Sequence, residues 1–570
     1  MKRNILFFVF FLYCSNIGPI RALLPKVCLD DSNCVLGKFM RGFETQLFEA
    51  FLGIPYAQPP IGDLRFSNPE EAKPWNGTLK AKVPKPDCVQ KDYIQPASPS
   101  FGSEDCLYLN VYRPQNRNIT DKLPVLFYIH EGGFFGGSSS PFMEGPEYFM
   151  DTKEVILVVP AYRLGLFGFL STNDEQMTGN FGLKDQNLAL KWVNAFISAF
   201  GGDPNRVTIF GHSAGAASVH FHTLSLASKG LFQNAILMSG AANAFYAKPL
   251  DDPKAQVIKL AESAGIKGAA NLSSTELVKA LRKIHRIKLL KAADNLKSWD
   301  VYPLVTFRPN IENSQWPNSF LTEDIFASLA ENSGSISVPW IIGNVPSKGE
   351  GLVMALRLAS NPILRANFNK EFDNLLRTIL ELPDTNKTSA VINCAVSKYM
   401  NGVHELNDET LDGFLELLGD ASFIYPTYKT IQAHLNTNDY DKGALNLTGI
   451  IKFDYSGPYS YSKIYTGSST NFSTVHYDDS LFLFKAPLVF RKGYLIASPE
   501  AALVRRYVGL YVEFAKTGKV KEFENIGTCT KNSFDEGECE YLSITKSSEL
   551  FQTDSSWDTE RMKLWNKAYN

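Results

Sequence analysis

The residues best suited to chemistry are a serine in a tight glycine motif and a histidine far downstream of it. Gly211-His212-Ser213-Ala214-Gly215 follows the apolar run Val207-Thr208-Ile209-Phe210 and precedes Ala216, Ala217 and Ser218, which can open a helix. Glycines on either side permit a cramped strand-to-helix corner, lifting the serine hydroxyl into the open beside the helix N-terminus. A hydroxyl is a weak nucleophile until a base takes its proton, and the base needs a carboxylate to hold its tautomer. The chemistry such a group would perform is attack on a carbonyl carbon through an acyl-enzyme, with water regenerating the serine.

Eight histidines could supply the base. His130 sits in a glycine-rich loop, His212 inside the serine motif, and His220 and His222 on the helix behind it; His285, His404 and His434 fall in long helical stretches. His476, in Val475-His476-Tyr477-Asp478-Asp479, follows the last strand candidate, in the order serine, acid, histidine that the strand–turn–helix serine demands.

These groups need a scaffold. Short apolar, β-branched runs at Val125 to Ile129, Val155 to Val159, Val207 to Phe210, Ala235 to Met238, Val338 to Ile342 and Ile450 to Phe453 suit strands covered on both faces. Between them lie patterns with apolar residues three and four apart, such as Gly182 to Phe196 and Lys254 to Ala264. The alternation predicts an α/β fold with a mainly parallel central sheet flanked by helices. The stretches 249–332 and 352–436 exceed a single crossover and are expected to be largely helical insertions capping the carboxyl edge of the sheet, where open α/β sheets place their ligands.

With 570 residues and 44% hydrophobic content the chain can bury a large core, and no repeat or linker divides it. A formal charge of -2 gives no electrostatic reason to expect nucleic acid or an anionic membrane; a small neutral ligand fits better. Lys2 and Arg3, the apolar stretch Ile5 to Cys14 and a more polar stretch to Ala22 read as a signal peptide, residues 1–22, too short to span a bilayer. Export agrees with the cysteines: Cys88 with Cys106, Cys529 with Cys539 and Cys28 with Cys34 form sequence-local pairs, with Cys394 left over. No pair has further ligands at metal spacing, and no metal or cofactor is expected. Sequons at Asn76, Asn118, Asn271, Asn386, Asn446 and Asn471 are possible glycan sites in a secreted chain.

Phe200-Gly201-Gly202-Asp203-Pro204-Asn205-Arg206, together with the serine motif, resembles the active-serine signature of the type-B carboxylesterase and cholinesterase family. Glu104-Asp105-Cys106-Leu107-Tyr108-Leu109-Asn110-Val111-Tyr112 resembles its second signature. The resemblance spans essentially the whole chain after residue 22 and implies one α/β-hydrolase domain, residues 23–570. It also implies that His130-Glu131-Gly132-Gly133-Phe134 is the oxyanion loop, with the amides of Gly132, Gly133 and Ala214 as donors. Glu131 stands where the family more usually has a glycine, and its side chain is expected to point away from the oxyanion. The family's glutamate before a glycine falls on Glu350, after the strand Val338 to Ile342, with Glu323 and Asp324 as alternatives. His476 matches the family's H-x-D-[DE] context. Arg65, Glu104, Arg163 and Asp185 resemble members of its internal salt bridges, whose loss would harm folding before chemistry.

The resemblance implies a carboxylic ester as substrate. The loop between Cys88 and Cys106 lacks a tryptophan to stack on a quaternary ammonium, and His212 replaces the glutamate of cholinesterases. Juvenile-hormone esterases typically carry glutamine there. The chain is most similar to secreted insect carboxylesterases, in which Phe245 and Tyr246, by position after Met238-Ser239-Gly240, would line the acyl pocket. A lipase-like enzyme and a non-catalytic adhesion or carrier protein are the other readings; an intact serine, glutamate and histidine argues against the last.

Overall fold

The computed structural model describes residues 24–115, 120–325, 336–435, 447–524, 526, 529, 531–547, 551–555 and 557–569. The expected signal peptide and the sequons at Asn118 and Asn446 lie outside these residues. Fourteen strands are formed among them: β1 (Lys26–Cys28), β2 (Asn33–Leu36), β3 (Lys38–Arg41), β4 (Leu47–Pro55), β5 (Gly77–Lys80), β6 (Tyr108–Pro114), β7 (Leu123–Ile129), β8 (Ile156–Pro160), β9 (Gly202–His212), β10 (Asn234–Met238), β11 (Trp340–Asn344), β12 (Leu447–Phe453), β13 (Tyr541–Ile544) and β14 (Gln552–Asp554). β1, β2 and β5 make a small sheet, and the others one large sheet in the order β14-β13-β12-β11-β10-β9-β7-β8-β6-β4-β3.

Strands β8, β7, β9, β10, β11, β12 and β13 run parallel to their neighbours, with antiparallel pairs added at both ends. The parallel centre is buried on both faces, which is why its strands are continuous apolar runs. Register aligns the strand ends: Ile129 of β7 pairs with Gly211 of β9, His212 with Met238 of β10, and Met238 with Gly343 of β11. His130, Ser213, Ser239 and the segment after Asn344 therefore leave the sheet along one edge.

Three helices of the first insertion, Pro253–Ser263, Ser274–Arg282 and Arg286–Asp294, begin on side-chain caps from Asp252, Ser273 and His285. Beyond them, from Asn295 to Asp324, the chain is not helical as expected. Pro303, Pro309 and Pro317 interrupt this stretch, and it is held by side chains instead. Lys184 Nζ meets Glu312 at 2.5 Å, Asn180 Nδ2 donates to the Asn310 carbonyl at 2.6 Å, and Arg308 donates to the Phe245 carbonyl at 2.7 Å. The second insertion is helical throughout most of its length, from Ser347–Ala355 to Tyr425–Leu435.

The expected ion pairs form. Arg65 meets Glu104 at 2.5 Å, and Arg163 grips the fully buried Asp185 through its backbone amide, Nε and an Nη at 2.7–3.0 Å. Cys28–Cys34, Cys88–Cys106 and Cys529–Cys539 are disulfides, and Cys394 is an exposed free thiol. Asn76, Asn271, Asn386 and Asn471 are exposed. No helix among the described residues is long and apolar enough to cross a membrane.

Candidate active site

Ser213 is where β9 turns into the helix Ala214–Leu224, and it adopts φ 55°, ψ −123°, a conformation costly for a residue with a Cβ. The corner is locked from both sides. Its amide donates to the Met238 carbonyl at 2.9 Å, and its carbonyl accepts from Ala217. A Cβ on Gly215 would stand 2.1 Å from the Ile129 carbonyl oxygen, and one on Gly211 would stand 2.4 Å from the Gly215 carbonyl carbon. Gly215 is thus imposed by how tightly the corner presses on the end of β7, and Gly211 by how tightly the corner folds back on itself.

That contact brings the glycine-rich loop alongside the serine. Gly132 and Gly133 have φ of +107° and +58°, whereas Glu131 is not in the left-handed region, so a side chain is tolerated there. The Glu131 carboxylate accepts from Tyr128 Oη at 3.1 Å, and Tyr128 in turn meets Tyr477 Oη at 3.2 Å. This directs the carboxylate to the tyrosine cluster. Among the described residues the amides of Gly132, Gly133 and Ala214 donate to no protein acceptor. Amides left over at a site are donors available to a ligand.

Glu350 lies in the first turn of the helix Ser347–Ala355, not in a loop, where the helix dipole favours a carboxylate. It has no exposed surface. One oxygen accepts from the Val345 amide at 3.1 Å and from Asn344 Nδ2 at 3.2 Å; the other meets His476 Nδ1 at 2.5 Å. The alternatives Glu323 and Asp324 are exposed. Burial pulls the His476 pKa below its ordinary 6.5, with the Glu350 carboxylate opposing that shift. The His476 backbone is fixed by its amide on the Gly349 carbonyl at 3.1 Å and by Tyr465 Oη on its own carbonyl at 3.0 Å. Strands β13 and β14 follow it, so Ile450 to Phe453 is not the last strand of the chain.

His476 meets the serine corner through His212: the two imidazoles stand 4.7 Å apart, edge to face at 70°. Among the described residues no hydrogen bond joins the Ser213 hydroxyl to His476, and catalytic hydrogen bonds are commonly loose before substrate binds. Tyr246 reaches this region through Phe423, whose ring is 5.5 Å from Tyr246 and 4.6 Å from His476. Phe245 is turned the other way, stacked at 6.0 Å on Tyr569.

The chain matches the carboxylesterase family over residues 32–565. It belongs to that family. This carboxylesterase is 39% identical over 504 residues to juvenile hormone esterase of Tribolium castaneum, covering 86% of this chain and 83% of the relative. It is 32% identical over 535 residues to esterase E4 of Myzus persicae, covering 91% and 90%. The crystal structure of juvenile hormone esterase from Manduca sexta, with OTFP covalently attached, superposes with a TM-score of 0.80 at 26% identity, covering 95% of this chain and 98% of that one. The fold is the α/β-hydrolase fold, and the enzyme is a carboxylic ester hydrolase.

Sequence reasoning gave no role to four residues around this site: His212, Asp479, Asn344 and Phe423. The H-x-D-[DE] context contained the aspartates but did not say what they hold. Asp478 accepts from the amides of Val475 and Tyr461 at 3.0 and 2.8 Å, and burial raises its pKa to about 7. Phe423 carried no signal, because it is delivered by a single wide turn, Asp420–Ile424, inserted in a helix.

Proposed function

We propose that this carboxylesterase is a secreted serine esterase that works through an acyl-enzyme, with Ser213 as nucleophile, His476 as general base and Glu350 as the group that orients it. The observation that carries the reading is the 2.5 Å contact between His476 Nδ1 and a Glu350 carboxylate with no exposed surface, one helical turn past a sheet edge shared with Ser213. Glu350 holds the proton on Nδ1, leaving Nε2 to take the Ser213 proton as the hydroxyl attacks the ester carbon. The tetrahedral oxyanion lies against the amides of Gly132, Gly133 and Ala214, each contributing about 3 kcal/mol. His476 then protonates the departing alcohol, and a water activated by the same imidazole releases the acid. Residues 1–22 act as the export signal, the four exposed sequons accept glycans, and Tyr246 with Phe245 behind it borders the acyl pocket.

Hydrolysis of short p-nitrophenyl esters tests this. The wild type should turn them over, and Ser213→Ala should lose about 10^4-fold or more in kcat; residual turnover within tenfold of wild type would refute the assignment. Similarity to two juvenile hormone esterases favours a more specific second reading, that juvenile hormone is the ester cleaved. A kcat/KM for juvenile hormone far above that for p-nitrophenyl acetate supports it, and the reverse ranking leaves a broad carboxylesterase.

A further inference from the structure

The residue just before the nucleophile is itself ionisable, buried and in contact with the base. His212 Nε2 is 3.0 Å from Asp479 Oδ1, with side-chain exposures of 4% and 1%. Among the described residues neither His212 nitrogen has another hydrogen-bond partner, and the Asp479 carboxylate is met from its other side by the Tyr507 hydroxyl. A lone buried carboxylate or imidazolium is costly, whereas the two together compensate each other. The His212 ring also stands edge-on to His476 at 4.7 Å and to Tyr477 at 4.9 Å. It therefore wedges between the corner that carries Ser213 and the segment that carries His476.

We propose that His212 and Asp479 form an ion pair that positions His476 against Ser213 and keeps a positive charge beside the base, setting the acid limit of turnover. The inference rests on the serine-esterase reading above. The charges facing His212 come from every side of the site: Asp479 and His476 on the segment after β12, Glu350 on its helix, and Glu131 on the oxyanion loop. Tyr507 and Tyr511, on the helix Pro499–Thr517, face Asp479. Burial disfavours the imidazolium of His212, but the surrounding carboxylates, Asp479 foremost with Glu350 and Glu131 behind it, together outweigh burial and raise its pKa above the ordinary 6.5. That charge in turn adds to burial in keeping His476 neutral. His212 touches no reacting atom; it is a positioning residue.

The test is the pH profile of kcat/KM for a p-nitrophenyl ester, measured on the full chain and expressed per active site titrated with an organophosphate. His212→Gln removes the cation and leaves the Asp479 anion, so the acid limb should move up by about one pH unit. Asp479→Asn removes the anion and, with it, the cation, so its limb should move up by less. Asp479→Glu, which keeps the carboxylate, should place the limb near the wild-type position. Acid limbs that superimpose in His212→Gln and the wild type would overturn the proposal, even if the plateau fell. Ser213→Ala run in parallel keeps the two readings separate: full turnover in that variant would sink the esterase mechanism, whereas an unshifted limb with Ser213→Ala inactive would sink the ion pair alone.

Discussion

His476 must be neutral to accept a proton, and burial holds its pKa below 6.5. The acid limb of kcat/KM should accordingly lie below pH 6.5, with turnover lost only as pH falls through the lowered value; a limb above 6.5 would contradict the burial argument. Glu350→Gln should leave the fold intact and cost about 10^4-fold in kcat, because an amide can hold the wrong imidazole tautomer. The two residues differ in how far the chain betrays them. Ser213 was legible because its backbone strain demands glycines on both sides, and those are printed in the sequence. Glu350 was not legible from its surroundings alone, since what selects it is burial under Asn344 and the Val345 amide, which depends on where β11 ends. Glu131 shows the same division: the sequence raised the question of its backbone, and only its φ and the Tyr128 hydroxyl answered it.

The helical element that carries Phe423 widens by one residue at Asp420–Ile424, where the Tyr425 amide reaches back to the Asp420 carbonyl. Asp420 anchors this turn: its carboxylate, almost wholly buried, takes Arg561 Nε and Ser347 Oγ at 2.5 Å and Tyr399 Oη at 2.6 Å. Arg561→Ala leaves that carboxylate without its cation and should lower unfolding free energy by about 3 kcal/mol, read as a shift of the urea midpoint. Gly215→Ala should act at the other end of the site, pressing a methyl onto the Ile129 carbonyl and abolishing esterase activity; an active variant would mean that the corner has slack. Apart from β13, the parallel strands were visible as apolar runs, but β4 and β6 were not. Their buried polar residues break the run, and they are tolerated because they satisfy each other: Glu49 and Arg113, opposite in register, pair at 2.6 Å, and Asn110 accepts from the Gly53 amide at 2.9 Å. A pattern rule that counts apolar residues cannot see compensation between strands distant in sequence.

Across the whole molecule, stability and activity are separable. Replacing Cys88 and Cys106 by serine opens the loop that presents Glu104 to Arg65, and should cost about 3 kcal/mol of unfolding free energy. His222, fully buried between Ser228 and Gln186, has its pKa depressed by burial to about 3. The unfolded chain binds this proton below 6.5 and the folded chain does not, so stability falls with pH at this site. The advantage of wild type over His222→Gln should therefore shrink by about 2 kcal/mol between roughly pH 6.5 and pH 5, as followed by chemical denaturation; a constant gap would mean the folded imidazole titrates normally. The central claim, that one serine on one corner does the chemistry, is met most directly by mass mapping of the peptides after titration with an organophosphate. One phosphoryl group per chain on the peptide containing Ser213, with turnover falling in proportion to its occupancy, is the expected result. Full turnover in a chain whose Ser213 is completely phosphorylated would contradict it.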